Sequence, residues 1–546
     1  MRLAEAIGLA LAKLEVRDAF GLLGSGNFLV TQAMVDRGVR FVAARHESAA
    51  VSMADGYARV SGRPGVVTVH QGPGLTNAMT ALTEAAKART PLMVLAADTS
   101  AGAGRSNFAV DQAGLATAVG AVAERARSPE TALEDLARAW RTAVVGRRAV
   151  LFSMPLDVQA GEAAGDEIEA PEAPEPAAPA HEDVERIADL LAAAASPVLV
   201  GGRGAVLAGA GPAIEALGNR VGGLLATSAN GHGLFAGNPW SLGISGGFAS
   251  PTAGRLIREA DVVVSFGASL NMWTTRHGEL VGPGARVAQV DRDADELGAH
   301  RPIDLGVVGD ARLTAEAVAA ELDRRGHRVP GRRSDDVAER IAGGRWADEP
   351  HEDASKDGRL DPRTFSKALE EALPPERVVA VDSGHFMGWP PMYLSVPDPA
   401  GFVFTQAFQS IGLGLSSAIG AAVARPDRLT VACLGDGGAM MAAGEFETLV
   451  RLGLPLVVVI YNDSAYGAEV HHFGPQGYPV DLVRYPDPDL AGMARGLGAE
   501  AATVRSLDDM SVVDGWLERR DGPLVLDVKI APDVVAEWLE EAFRSH

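Results

Sequence analysis

A glycine-rich turn that carries one carboxylate is the strongest chemical signal in the chain. The turn Gly435-Asp436-Gly437-Gly438 follows an apolar run at 430–434, and a second apolar run at 456–460 leads into a polar loop at Asn462. In an open parallel sheet, ligands bind beyond the carboxyl ends of the strands, so both loops project to one edge. Glycines let backbone amides approach a phosphate, and Mg²⁺ prefers carboxylate oxygens. The two loops therefore predict a site for a diphosphate that Mg²⁺ bridges to the protein; the alternative is that Gly-Asp-Gly-Gly, taken alone, is an ordinary turn.

Short apolar strands that alternate with helices must position these loops. Such strands recur along the whole chain, at 66–69, 91–95, 197–200, 262–266, 286–290, 378–381, 430–434 and 456–460. This alternation is typical of α/β domains built on buried parallel sheets. Two stretches lack such a pattern and are predicted linkers. The first, at 161–182, is rich in Ala, Glu and Pro, and the second, at 324–358, is rich in charged residues and Gly. The predicted fold is α/β, with three doubly wound parallel-sheet domains at 1–160, 183–323 and 359–546 and linkers at 161–182 and 324–358.

Composition narrows the class of protein. The 546 residues include 49 basic and 71 acidic side chains, a formal net charge of −22, which argues against binding to nucleic acid. The single cysteine, Cys433, excludes an internal disulfide and a multi-cysteine metal cluster, and we expect a reducing cytoplasm. No apolar run approaches the roughly 20 residues that cross a bilayer. The chain also begins directly in an amphipathic helical pattern, so we expect neither a membrane span nor export.

The spacing of the two loops resembles the thiamine diphosphate motif of the 2-oxo acid decarboxylase and acetolactate synthase superfamily. The flanks agree as well, since Gly412-Leu413-Gly414-Leu415 precedes a helix and Pro426 precedes the strand into Gly435. The resemblance covers essentially the whole chain. It implies a pyrimidine-binding, a central and a diphosphate-binding domain, with thiamine diphosphate and Mg²⁺ as cofactors.

Residue by residue, the resemblance implies a metal site and a set of cofactor contacts. The metal ligands would be the carboxylates of Asp436 and Asp463 and the carbonyl of Ala465. Asp463 departs from the usual Asn of the family, and Asn462 is the alternative ligand or else a turn-forming residue. Ile411 would hold the cofactor in its bent shape or simply pack in the core, and His385 would contact the diphosphate. Further implied cofactor contacts are Gln409, Gly435, Gly437, Gly438, Tyr466 and Gly467.

A carboxylate in the first domain resembles the proton-relay residue of the same superfamily. The segment Arg45-His46-Glu47-Ser48-Ala49-Ala50 leads into Asp55-Gly56-Tyr57-Ala58, as in the family. Glu47 would exchange a proton with N1′ of the cofactor pyrimidine; the alternative is a glutamate favoured at a helix N-terminus. In the family this residue and the diphosphate loops come from different chains. The resemblance therefore implies a homodimer or homotetramer with active sites between chains.

Several residues on the substrate side resemble family positions. The loop His70-Gln71-Gly72-Pro73-Gly74-Leu75-Thr76-Asn77 resembles one in acetolactate synthase, and benzoylformate decarboxylase has a histidine where His70 stands. His70 would be an acid or base near neutral pH, or else a hydrogen-bonded core histidine. The resemblance adds Pro73 and Asn77 as cofactor contacts. It also adds three catalytic candidates: Ser25 (or a helix cap), Gln112, and Glu469 (or an exposed helix residue).

The resemblance implies an enzyme that makes or breaks the carbon–carbon bond beside the carbonyl of a 2-oxo acid. An acetolactate synthase-like carboligase and a benzoylformate-type decarboxylase both fit, because the loop at 70–77 mixes features of the two. From another class, a catalytically silent binding subunit is possible, although an intact Glu47 argues against it. FAD is doubtful, because the loop Gly267–His277 does not match the FAD-binding loop of acetolactate synthases.

Overall fold

The computed structural model describes residues 1–163, 165 and 168–543, without the side chains of 540 and 541. Three six-stranded sheets follow one another along the chain, and the pairings between their named strands are parallel. Helices cover the faces of each sheet. The predicted fold class, α/β with three doubly wound domains, is therefore confirmed.

The first domain contains a sheet with strand order β2-β1-β3-β4-β6-β5. The four inner strands are buried runs rich in Val, Leu and Ala, as expected for a parallel sheet covered on both faces, whereas the two edge strands are partly exposed. The strands are β1 Asp18–Gly21, β2 Arg40–Ala43, β3 Gly65–Val69, β4 Leu92–Asp98, β5 Val122–Arg125 and β6 Ala149–Pro155. The helices are α1 Leu3–Lys13, α2 Phe28–Val35, α3 Glu47–Ser61, α4 Pro73–Asn77, α5 Met79–Lys87, α6 Gln112–Ala118, α7 Ala132–Val144 and α8 Leu156–Gln159.

The central domain has the order β12-β11-β10-β7-β8-β9, with the reversal of strand order between β7 and β10. The strands are β7 Pro197–Gly201, β8 Leu224–Thr227, β9 Ser241–Ile244, β10 Val262–Phe266, β11 Arg286–Asp291 and β12 Leu305–Val308. The helices are α9 His181–Ala192, α10 Arg203–Leu207, α11 Gly211–Val221, α12 Pro251–Arg258, α13 Met272–Thr275 and α14 Ala311–Arg324.

A helix, α15 Asp335–Ala342, interrupts the stretch expected to be a linker at 324–358. The hydroxyl of Ser334 caps it by accepting a hydrogen bond from the amide of Val337 at 3.3 Å. The helix was not expected because the stretch is rich in charged residues and Gly, but its apolar residue Val337 is buried against the central domain. The exact limits of the domains and linkers stay predictions.

The third domain repeats the topology of the first, with the order β14-β13-β15-β16-β18-β17. Its strands are β13 Arg377–Val381, β14 Phe402–Phe404, β15 Leu429–Gly435, β16 Val457–Asn462, β17 Glu500–Val504 and β18 Leu524–Lys529. The helices are α16 Pro362–Ala372, α17 Trp389–Tyr393, α18 Gly414–Ala424, α19 Asp436–Met441, α20 Ala443–Leu452, α21 Gly467–Phe473, α22 Leu490–Gly496, α23 Ser511–Arg519 and α24 Glu537–Ala542.

The first and third domains share one hydrophobic core, because helix α3 packs against helix α18. The helices approach so closely at Gly56 that a Cβ atom there would collide with the carbonyl oxygen of Ser417. The first and third domains of the chain are thus packed directly against each other. Among the described helices, none is both long and apolar enough to cross a membrane.

Candidate active site

Two carboxylates project from the carboxyl ends of neighbouring strands in the third domain. Gly435 on β15 is paired with Tyr461 on β16, so the loops that follow these strands start side by side. Asp436 begins helix α19 and is buried, and Asp463 lies in the loop that leads to helix α21. The arrangement agrees with the sheet-edge placement that the spacing of the two loops predicts.

The electrostatics of this carboxylate pair favour a bound cation. Burial, together with repulsion from Asp463, raises the pKa of Asp436, and burial raises the pKa of Asp463. Within the described part of the chain, no ion pair with a basic side chain neutralises either group. The backbone amide of Ala465 donates to Oδ1 of Asp463 at 3.1 Å, which fixes one carboxylate oxygen. Arg359 acts on Asp463 through its charge and forms no ion pair with it, so the two convergent carboxylates still fit a divalent cation, which prefers such oxygen ligands.

Asn462 does not compete with Asp463 for this role. Its side chain is fully buried, and its Nδ2 donates to Oδ1 of Asp527 at 2.8 Å. Its Oδ1 accepts from the amide of Ser464 at 3.1 Å. Both ends of the amide are therefore committed to the turn, which supports Asp463 as the candidate ligand and the turn-forming interpretation of Asn462.

The glycines at 437 and 438 let the turn approach other groups closely. A Cβ atom at Gly438 would collide with Oδ2 of Asp382, and one at Gly437 would meet the ring of Tyr466. The ring of Tyr466 also packs edge-on against Tyr485, with ring centroids 5.3 Å apart. Only glycines leave backbone amides open at this position, which suits a phosphate.

The loop that carries Gln409 and Ile411 is anchored by Asp382, a residue that sequence analysis did not select. The buried Asp382 carboxylate accepts from the amide of Gly412 at 2.9 Å and from that of Leu413 at 3.2 Å. Gln409 is exposed and has a φ of 62°, and Ile411 is half-buried. A carboxylate directly after strand β13 was the available clue, but its partners lie 30 residues away and cannot be read from the sequence.

His385 is buried beside the Asp463 loop. Its Nε2 accepts from the amide of Ala536 at 3.0 Å, and its ring lies 4.3 Å from that of His471 between centroids. Burial lowers the pKa of His385 to about 3, so the ring is neutral near pH 7. A Cβ atom at Gly467 would lie 3.3 Å from Nδ1 of His385. The structure thus brings His385 next to the loops, and its contact with a diphosphate stays a prediction.

Glu47 lies at the start of helix α3 and is held by Asn77, from the loop at 70–77 of the first domain. Its Oε2 accepts a hydrogen bond of 3.0 Å from Nδ2 of Asn77. Asn77 ends the short helix α4, which Pro73 begins, and a Cβ atom at Gly74 would lie 3.6 Å from Oε1 of Glu47. The structure therefore brings Glu47 and Asn77 into contact, with Pro73 at the other end of α4, and the contacts of all three with the cofactor stay predictions.

Ser25 and His70 follow the carboxyl ends of β1 and β3, two neighbouring strands of the first sheet. Nδ1 of His70 accepts a hydrogen bond of 3.3 Å from the amide of Gly26, so a neutral ring carries its proton on Nε2. The ring of Phe108 packs edge-on against His70 at 5.2 Å. Ser25 is exposed and is not a helix cap, because helix α2 begins at Phe28.

Two other candidates have different surroundings. Gln112 is buried and uses both ends of its amide, donating to the carbonyl of Ala97 at 2.8 Å and accepting from Oγ of Ser153 at 2.9 Å. These bonds to β4 and β6 direct the side chain into the sheet, so the arrangement does not support a catalytic contact. Glu469 is exposed on helix α21, close to the loops in sequence, and its role stays a prediction.

The central-domain loop considered for FAD folds upon itself. Oδ1 of Asn271 accepts from the amide of Thr274 at 3.0 Å and caps helix α13. The guanidinium of Arg276 donates to the carbonyl of Gly246 at 3.1 Å. These internal contacts give no reason to revise the doubt about FAD.

Three models of thiamine pyrophosphate enzyme domains match the chain. The N-terminal thiamine pyrophosphate-binding domain matches residues 1–124, the central domain 184–318, and the C-terminal thiamine pyrophosphate-binding domain 382–528. The chain belongs to the thiamine pyrophosphate (thiamine diphosphate) enzyme family, and its cofactor is thiamine diphosphate.

Relatives in this family carry out more than one reaction. The chain is 30% identical to sulfoacetaldehyde acetyltransferase of Rhodobacter capsulatus, over 94% of this chain and 90% of that protein. It is 32% identical to a probable 2-ketoarginine decarboxylase of Pseudomonas aeruginosa, over 93% and 90% of the two chains. Its fold is that of a thiamine diphosphate-dependent 4-hydroxybenzoylformate decarboxylase of Rhodococcus jostii, with a TM-score of 0.82 at 23% identity over 97% and 99% of the two chains.

Proposed function

We propose that the protein uses thiamine diphosphate and Mg²⁺ to make or break the carbon–carbon bond beside the carbonyl of a 2-oxo acid, as an acetolactate synthase-like carboligase. The observation that carries this proposal is the pair of carboxylates on the buried Asp436 and the half-buried Asp463, directly after β15 and β16. Two neighbouring carboxylates shielded from water cost free energy unless a cation binds them. Mg²⁺ held there, with the carbonyl of Ala465 as a further ligand, would fix the diphosphate end of the cofactor.

When bound, thiamine diphosphate supplies an electron sink for the carbon that gains or loses a bond beside the carbonyl. The residues of the chain bind, orient and move protons. Glu47, whose Oε2 accepts from Nδ2 of Asn77 at 3.0 Å, would hold a proton on its carboxyl group and exchange it with N1′ of the pyrimidine. Gly437 and Gly438 would offer backbone amides to the diphosphate, and Ile411 would support the cofactor between its two ends.

His70 supports a second candidate function, benzoylformate-type decarboxylation. Its Nδ1 accepts from the amide of Gly26, which leaves the Nε2 proton available for donation to a developing product. The ring of Phe108 packs beside His70 and makes one side of its surroundings apolar. A probable 2-ketoarginine decarboxylase among the relatives supports this second candidate.

Exposed apolar side chains beside both half-sites support a homodimer or homotetramer with sites between chains. In the first domain, Phe28 is 49% exposed and Phe108 40% exposed, close to Ser25 and His70. In the third domain, Met440 and Met441 follow the 435–438 turn and are 51% and 63% exposed. Apolar patches of this kind mark interfaces. A cytoplasmic location is supported by the buried free thiol of Cys433.

A panel of 2-oxo acids tests the proposal. Pyruvate, benzoylformate and 2-oxo acids with basic side chains are supplied with thiamine diphosphate and Mg²⁺, and carbon dioxide and the organic product are both measured. A coupled product supports the carboligase, and free aldehyde in equal amount to carbon dioxide supports the decarboxylase. Removal of metal with EDTA should abolish either activity. If no member of the panel is consumed although the cofactor binds, a silent binding subunit is the better interpretation.

A further inference from the structure

Arg359 lies at the start of the predicted third domain, just after the second linker. Its guanidinium contacts the loop that carries Asp463. Its Nη1 donates to the carbonyl oxygens of Asn462 at 3.2 Å and Ile530 at 3.1 Å. Its Nη2 donates to Oγ of Ser464 at 3.2 Å. The Arg359 side chain thus connects the end of β16, the turn that follows β16 and the end of β18.

The turn that Arg359 contacts has a backbone conformation that needs support. Ser464 has a φ of 60°, in the left-handed region that non-glycine residues rarely adopt. The amide of Ser464 donates to Oδ1 of Asn462, and the amide of Ala465 donates to Oδ1 of Asp463, both at 3.1 Å. The direction of the Asp463 carboxylate therefore depends on this turn.

Arg359 is available for this task because its acidic neighbour is already paired. The nearest carboxylate, Asp487, lies 3.8 Å from Nη2 of Arg359. Asp487 makes shorter contacts with Nζ of Lys529 at 2.6 Å and with Arg505 at 3.3 Å. Arg359 and Asp463 also line the same cavity of about 190 Å³.

We propose that Arg359 is a positioning residue that preforms the Ser464 turn, so that Asp463 and Ala465 present their oxygens to the divalent cation of the cofactor. This inference rests on the proposed use of Mg²⁺. Protein ligands that are already ordered bind a cation more tightly, because no free energy is lost in ordering them when the cation binds.

The test measures Mg²⁺ affinity in the full-length protein rather than activity alone. Protein stripped with EDTA is titrated with Mg²⁺ at saturating thiamine diphosphate by isothermal titration calorimetry. Arg359→Met should raise the apparent Kd for Mg²⁺ about tenfold or more, and Arg359→Lys should lie between Met and the wild type. The matched control is Arg505→Met, which removes the other arginine on Asp487 without touching the turn and should leave the Kd within about twofold.

Turnover as a function of Mg²⁺ separates positioning from general damage. Excess Mg²⁺ should restore kcat of Arg359→Met to near the wild-type value, because the ligands themselves are intact. An unchanged Kd in Arg359→Met, or a low kcat that excess Mg²⁺ does not restore, overturns the inference. If Arg359→Met does not fold, the same criteria apply to Arg359→Lys. Failure of the wild-type protein to bind Mg²⁺ overturns the proposed function as well, whereas failure of the variant alone does not.

Discussion

The carboxylate of Glu84, on helix α5 of the first domain, accepts a hydrogen bond of 2.6 Å from the backbone amide of Phe408 in the third domain. It also accepts from the amide of Ala407 at 3.2 Å and pairs with Arg59 at 2.9 Å. Arg59 in turn donates to the carbonyl of Phe404 at 2.8 Å. The first domain of each chain therefore anchors the loop that leads to the cofactor-side residues of its own third domain.

Replacing Glu84 should destabilise this connection. Glu84→Ala leaves Arg59 buried with one carboxylate partner instead of two, and it removes the acceptor for two backbone amides. We expect a loss of about 3 kcal/mol, seen as a lower midpoint of urea unfolding, because the substitution weakens a buried ion pair and leaves two backbone amides without an acceptor. Thiamine diphosphate affinity should fall with it. The control is Glu134→Ala, which removes an exposed carboxylate in the first turn of α7. An unfolding midpoint equal to that of the wild type would contradict this account.

Removing the acid function of Glu47 should separate binding from chemistry. Glu47→Gln keeps a hydrogen-bonding group beside Asn77 but cannot exchange a proton with the pyrimidine. We expect turnover to fall about 10²- to 10⁴-fold, the usual range for loss of a proton-transfer group. Thiamine diphosphate binding, measured by calorimetry, should change far less, and so should the oligomeric state. Glu182→Gln, in the first turn of helix α9, is the matched control and should retain full activity. Unchanged turnover in Glu47→Gln would remove the proposed mechanism.

Asp463→Asn should have opposite effects with and without metal. In EDTA the substitution removes one of two neighbouring carboxylates, so the thermal midpoint should rise because their mutual repulsion is relieved. With Mg²⁺ and thiamine diphosphate, the ligand-induced rise in midpoint should be smaller than in the wild type, because a charged ligand is lost. Asp489→Asn serves as the control, since Asp489 likewise accepts from a nearby backbone amide, that of Gly492 at 2.7 Å. A lower midpoint in EDTA would be evidence against mutual repulsion.

A half-buried histidine at the junction of the central and third domains, with its Nε2 shielded from solvent, should make the protein sensitive to acid. Burial lowers the pKa of His232 to about 4, and its ring packs edge-on against Phe402. The unfolded chain takes up this proton near the ordinary pKa of about 6.5, before the folded chain does. Stability is therefore complete above about pH 6.5 and falls as the pH decreases toward 4, by up to about 1.4 kcal/mol per pH unit from this group.

The comparison of two variants checks this pH dependence. His232→Gln should flatten the decrease in unfolding midpoint between pH 6.5 and pH 5, whereas His300→Gln, at an exposed position, should leave it unchanged. Parallel curves for the wild type and His232→Gln would show that His232 does not carry the effect.

The sequence by itself determined the parts of the site that depend on local order. The apolar runs before Gly435 and Asn462 required strands, and parallel strands bring the residues after them to one edge; Asp436 and Asp463 were therefore predictable as neighbours. Glu47 was selected through the family resemblance, because the local pattern alone indicates only a glutamate favoured at a helix N-terminus. The family resemblance then related these positions to one cofactor.

The tertiary structure decided what depends on side-chain direction and on partners distant in the chain. Asn462 turns toward Asp527 and leaves Asp463 to face the neighbouring loop, and Gln112 points into the sheet instead of out of it. Glu84, Asp382 and Arg359 gain their roles from backbone groups that only folding brings near. A hydrogen bond acts over about 3 Å, whereas a sequence pattern reports only which face or end of an element a residue occupies, so such pairings become visible only in the folded chain.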